Sequence, residues 1–136
     1  MITTMAPKRS DSMGDGSFGA PRGSRTHNGI DYAVQPDSMV MTLVSGEVTK
    51  IGYPYNPSDE LKGHLRYVQI TDSKGNDVRY FYVLPTVKVG DKVKENDIIG
   101  VAQDLQKVYG NRMISHVHLE VKTTESAFAN PETYFT

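Results

Sequence analysis

Ser115-His116-Val117-His118-Leu119-Glu120-Val121 is the stretch on which the reading of this chain turns. Apolar and polar residues alternate through it. On an extended strand successive side chains point to opposite faces, so Val117, Leu119 and Val121 share one face and His116, His118 and Glu120 the other. The whole chain holds only four histidines, so two on one strand face is a concentration that needs a reason. A His-x-His pair on a strand offers two ring nitrogens to one point. Both can bind a metal, or one can bind while the other stands beside an open position as a base. Glu120 continues the same face, where it can orient an imidazole, act as a base or stand as a solvated charge.

A second segment completes the set. In His27-Asn28-Gly29-Ile30-Asp31, a glycine turn separates a histidine from a carboxylate. Such a turn can fold both side chains toward one point. Two histidines and a carboxylate make a zinc site with an open fourth position, the pattern of catalytic rather than structural zinc. With no cysteine in the chain, thiolate ligands, a cysteine nucleophile and disulfides are all excluded. Any metal must therefore use His, Asp or Glu. The remaining histidine, His64, reads as a surface loop residue. The expected chemistry is that of a zinc hydrolase.

Around these segments the chain reads as strands. Residues 38–44, 46–53, 65–71, 78–84 and 116–122 carry strand patterns, and 87–101 reads as two short strands joined by a polar turn. A short helical turn is possible at 103–109. Many short strands with frequent turn signals imply an all-β domain, a compact antiparallel β-sandwich or barrel-like body whose long loops flank a zinc groove. One domain over residues 1–136 is expected, with 1–15 as a flexible N-terminal arm. The Gly/Ser/Pro-rich stretch 12–26 and the polar loop 54–63 are the candidate groove walls.

Composition narrows the partners. The net charge is −1, so bulk charge suggests neither a nucleic-acid nor an anionic-membrane partner. No apolar run is long enough to span a bilayer, so no membrane insertion is expected. The N-terminus has no apolar core of a secretory signal, so synthesis as a soluble cytoplasmic protein is the expectation. Oligomeric state is not legible.

Taken together, the segments resemble the lysostaphin-type (LytM-type) zinc endopeptidases. Phe18-Gly19 with His27-Asn28-Gly29-Ile30-Asp31-Tyr32-Ala33 looks like that family's first metal motif. Ser45-Gly46-Glu47-Val48 and Val87-Lys88-Val89-Gly90-Asp91-Lys92-Val93-Lys94 with Ile98-Ile99-Gly100 look like its hairpins. His116-Val117-His118-Leu119-Glu120-Val121 looks like its His-x-His signature, and Asn130-Pro131-Glu132-Thr133-Tyr134 like its closing segment. The resemblance implies Zn2+ held by His27, Asp31 and His118, with His116 as the catalytic histidine. It implies hydrolysis of peptide bonds in peptidoglycan stem peptides or cross-bridges, with a bacterial or bacteriophage cell-wall enzyme, such as an endolysin, as the natural setting. Action at the wall would then follow release, or occur as a virion component.

One departure stands out. The family usually has a second catalytic histidine in a Tyr-x-His-Leu pattern, and here the strand reads Arg79-Tyr80-Phe81-Tyr82-Val83-Leu84-Pro85. Tyr82 stands at or beside that place. Its neutral phenol is a good hydrogen-bond donor and is the expected substitute at a developing oxyanion. The same departure, with Leu105-Gln106-Lys107-Val108-Tyr109, is closely similar to the leukocyte cell-derived chemotaxin branch, which keeps the zinc ligands but is regarded as lacking peptidase activity. The alternative is therefore a zinc-binding recognition module without catalysis. A carrier domain is a third possibility, since the 89–100 hairpin resembles biotinyl and lipoyl domains, but Lys107 lacks the tight hairpin tip that modification needs.

Overall fold

The computed structural model describes residues 9–11, 14–22, 25–26, 28–110 and 113–135. The alternation at 115–121 becomes the middle of the molecule. His116–Lys122 is a strand whose Val117, Leu119 and Val121 are fully buried. It pairs antiparallel with Asp77–Phe81 along one edge, and with Ile30–Ala33 and Phe128–Ala129 along the other. The larger sheet runs in the order Lys92–Val93, Gly46–Gly52, Tyr67–Asp72, Asp77–Phe81, His116–Lys122, Phe128–Ala129, with Ile30–Ala33 also on the His116 strand. A smaller antiparallel sheet has the order Val83–Pro85, Ile98–Ala102, Met39–Met41.

One apolar core joins the two sheets. Val48, Val68, Ile70 and Val78 from the larger sheet cluster with Val40, Val83, Ile99 and Ala102 from the smaller. Burying each such aliphatic side chain stabilises the fold by about 1.5–3 kcal/mol relative to exposure. Tyr80 reaches across: its hydroxyl accepts the Leu43 N–H at 2.8 Å and lies 3.3 Å from Thr42 Oγ1. The architecture is the all-β antiparallel one expected from the sequence. The described helices are two single-turn pieces, Gln106–Tyr109 and Pro131–Tyr134. None of the described helices is long and apolar enough to cross a membrane.

One strand departs from the sequence reading. Residues 78–84 do not form a continuous strand, because the chain changes sheets at Tyr82. Asp77–Phe81 belongs to the larger sheet and Val83–Pro85 to the smaller. At the corner Tyr82 has a left-handed backbone, φ 69°. The N–H groups of Tyr82 and Val83 both donate to the Arg66 carbonyl, at 2.7 and 3.2 Å, so two residues face one as in a bulge. A bulge re-aims the side chain it carries, and here that side chain is Tyr82.

Candidate active site

His118 sits where three strands meet. Its register partners are Asp31 on one side and Phe81 on the other. His118 Nδ1 donates to Asp31 Oδ1 at 2.8 Å, and Phe81 stands edge-on to the ring with centroids 5.3 Å apart. The close approach of the Asp31 strand depends on Gly29. A Cβ there would lie 2.1 Å from the Leu119 carbonyl oxygen, a clash that only glycine avoids.

The other ring nitrogen is also held. His118 Nε2 donates to Glu120 Oε1 at 2.9 Å. Glu120 Oε2 lies 3.7 Å from Arg79 Nη1, and Arg79 Nε donates to Gln69 Oε1 at 2.8 Å. Gln69, Arg79 and Glu120 are cross-strand neighbours, so this polar row is written into the register. Glu120 thus orients an imidazole, one of the three roles its position on the strand allowed. Burial alone would push the His118 pKa down; hydrogen bonds to Asp31 and Glu120 outweigh it and raise the value to about 9.

His116 has a different setting. Its Nδ1 lies 2.8 Å from the Ile114 carbonyl oxygen, which can only accept, so Nδ1 carries the proton. The Nε2 lone pair then faces Asp31, with Oδ2 at 3.6 Å. Burial pushes the His116 pKa below its ordinary value, against the pull of the Asp31 carboxylate. A neutral imidazole with an unprotonated Nε2 can take a proton.

Tyr82 stands over His116, ring perpendicular to ring, with centroids 5.5 Å apart. Tyr55 packs against the same apolar cluster as Tyr82, and its hydroxyl lies 3.1 Å from that of Tyr109. Burial, followed by the Tyr55, Tyr109 and Asp31 charges, raises the Tyr82 pKa well above the usual phenol value, so it is a neutral donor. Beneath lies a second apolar cluster of Leu65, Leu105 and Met113, against which Tyr55, Tyr82 and Tyr109 pack. The loop around residue 55 and the helical turn at 106–109 therefore both reach the site's edge.

Asp31 Oδ1 and His118 Nδ1 are donors of the kind zinc takes, converged on one point, and Glu120 holds the far nitrogen as metal-binding histidines usually require. A metal and the Nδ1 proton compete for one lone pair. Asp31 and His118 supply two of the donors such an ion needs. His27, the third expected ligand, lies outside the described residues, and among the described residues no group of three or more His, Asp or Glu is arranged to hold a metal by itself. Of the expected site residues the structure brings together Asp31, His116, His118 and Tyr82. Sequence reasoning missed Arg9, whose Nη1 donates to Asp31 Oδ2 at 2.9 Å, and also Arg79, Tyr55 and Tyr109. For Arg79 a signal existed, since it lies in a strand pattern on the face opposite Tyr80.

A model of peptidase family M23 matches residues 25–131. This chain belongs to peptidase family M23. The matched region holds Asp31, His116, His118 and Tyr82. Among similar proteins, leukocyte cell-derived chemotaxin-2 from Bos taurus is 27% identical over 110 residues, covering 81% of this chain and 69% of that one. The catalytic domain of a point mutant of the prophage-encoded M23 protein EnpA from Enterococcus faecalis superposes with a TM-score of 0.67 at 24% identity, covering 97% of this chain and 98% of that one. The antimicrobial peptidase lysostaphin from Staphylococcus simulans gives a TM-score of 0.68 at 20% identity, covering 98% of this chain. This M23 chain spans 54% of that lysostaphin chain. At these identities the structural likeness establishes a shared fold.

Proposed function

We propose that this M23 chain is a zinc metalloendopeptidase that hydrolyses peptide bonds in peptidoglycan stem peptides or cross-bridges, acting at a bacterial wall after release or as part of a phage particle. The observation that carries this reading is the convergence of His118 and Asp31 beside a neutral His116 whose Nε2 can accept a proton. His27, Asp31 and His118 would hold the zinc, which when bound supplies an activated water and a Lewis acid for the scissile carbonyl. His116 takes the proton of the attacking water at Nε2 and returns it to the leaving amine. Tyr82 donates its phenol hydrogen to the oxygen that gains charge. The loop at 54–63 and the stretch at 12–26 would wall the groove in which a peptide lies.

The packing of Tyr82 with Tyr55 and Tyr109 against one apolar cluster favours a second reading, a zinc-binding module that recognises its ligand without turnover. There the phenol serves packing rather than catalysis. Digestion of purified peptidoglycan by zinc-loaded protein separates the two, with fragments read by mass spectrometry and His118→Ala as control. New peptide termini that vanish in the control support the peptidase. Intact wall from several sources, treated with protein shown to hold zinc, supports the binding module.

A further inference from the structure

Arg9 lies outside the region matched to the family, yet its side chain is 5% exposed and ends on Asp31. Three backbone bonds seat it there. The Arg9 N–H donates to the Asp31 carbonyl at 2.6 Å, the Gly16 N–H donates to the Arg9 carbonyl at 2.8 Å, and the Asp31 N–H donates to the Gly16 carbonyl at 2.8 Å. A Cβ on Gly16 would lie 2.8 Å from the Asp31 carbonyl oxygen, so this segment too is shaped for close approach. A buried guanidinium is costly unless it meets an anion, and its planar fork fixes the direction of the carboxylate it holds.

The two oxygens of Asp31 are thereby divided. Oδ2 takes the Arg9 guanidinium at 2.9 Å, and Oδ1 faces His118 Nδ1 at 2.8 Å. The carboxylate on the far side of the ring repeats the arrangement, with Glu120 Oε1 on His118 and Oε2 toward Arg79. His118 stands between two carboxylates, each approached on its outer oxygen by an arginine.

We propose that Arg9 is a positioning residue for Asp31, holding Oδ2 so that a metal receives Oδ1 alone and keeps a coordination position for substrate. A carboxylate left to itself can ligate through either one oxygen or two, and a second oxygen would fill the position that catalytic zinc keeps open. The inference rests on the zinc reading given above.

The test uses the full chain loaded with cobalt(II), whose visible bands are intense at four-coordination and weaken as coordination number rises. Zinc affinity by chelator competition is measured alongside. Wild-type protein is expected to give intense bands, Arg9→Met weakened bands with metal still bound, and Arg9→Lys a return toward the wild-type spectrum. An unchanged spectrum in Arg9→Met overturns the proposal, since a merely structural arginine would leave coordination alone. Failure of both Arg9→Met and Arg9→Gln to fold assigns Arg9 to stability and also overturns it. If wild-type protein binds neither zinc nor cobalt, the metal reading itself fails and takes this inference with it.

Discussion

His118 and Glu120 lie two residues apart on one strand face and share a 2.9 Å hydrogen bond through Nε2. That bond fixes which nitrogen of His118 meets Asp31. Removing the acceptor should let the ring swing and lose its preference. We expect Glu120→Ala to weaken zinc binding by about 10–100-fold, with Glu120→Gln, which keeps a carbonyl acceptor, less affected. Competition against a chromophoric chelator measures both, and equal affinity in Glu120→Ala and wild type would refute the assignment.

Tyr82 meets His116 edge-on and carries a neutral hydroxyl. If its phenol serves the developing oxyanion, Tyr82→Phe lowers kcat by roughly 100–1000-fold while zinc affinity stays constant. Tyr82→His restores the histidine of the family pattern and is expected to retain or raise turnover. Initial rates on purified peptidoglycan decide this, and a Tyr82→Phe variant as fast as wild type removes Tyr82 from the reaction.

Tyr32 is packed in the core, and among the described residues its hydroxyl has no hydrogen-bond partner. A buried unsatisfied hydroxyl costs about 1–3 kcal/mol. Tyr32→Phe should therefore stabilise the protein and raise the Tm by a few degrees. A Tm lowered in calorimetry by this substitution would show that the hydroxyl is bonded after all.

Tyr80 supplies the pH dependence most open to measurement. Burial raises its pKa to about 12 from the ordinary 10.0, with bonds from Thr42 and Leu43 acting in the opposite sense. The folded state thus holds a proton that the unfolded chain releases first. The contribution is complete below pH 10, and is lost as pH climbs through about 12, amounting to roughly 3 kcal/mol across the window. Urea unfolding midpoints between these pH values should fall less steeply in Tyr80→Phe than in wild type. Parallel slopes would exclude Tyr80 as the source.

The legible parts of this molecule are those with a local period. The two-residue repeat at 116–121 gives both the buried face and the polar one, because one strand face must be apolar and the other carries what is left. The same repeat puts Glu120 beside His118. Tyr82 was legible as a departure from a family pattern but not as a corner, since no glycine or asparagine announces its left-handed backbone. The surrounding packing imposes that conformation on a residue that would otherwise stay extended. Arg9 was hidden for a different reason. Its partner is 22 residues away, and nothing in a Gly/Ser-rich stretch distinguishes an arginine that will be buried from one that stays in water.

Asp31 and His118 are 87 residues apart in the chain, yet directly opposed in the sheet. The strand that carries His118 also carries Val117, Leu119 and Val121 into the core, so its docking offsets the entropy of closing so long a loop. One strand therefore completes both the chemistry and the hydrophobic interior. With that strand undocked Asp31 would lack both His116 and His118, so the chemistry depends on a closed interior.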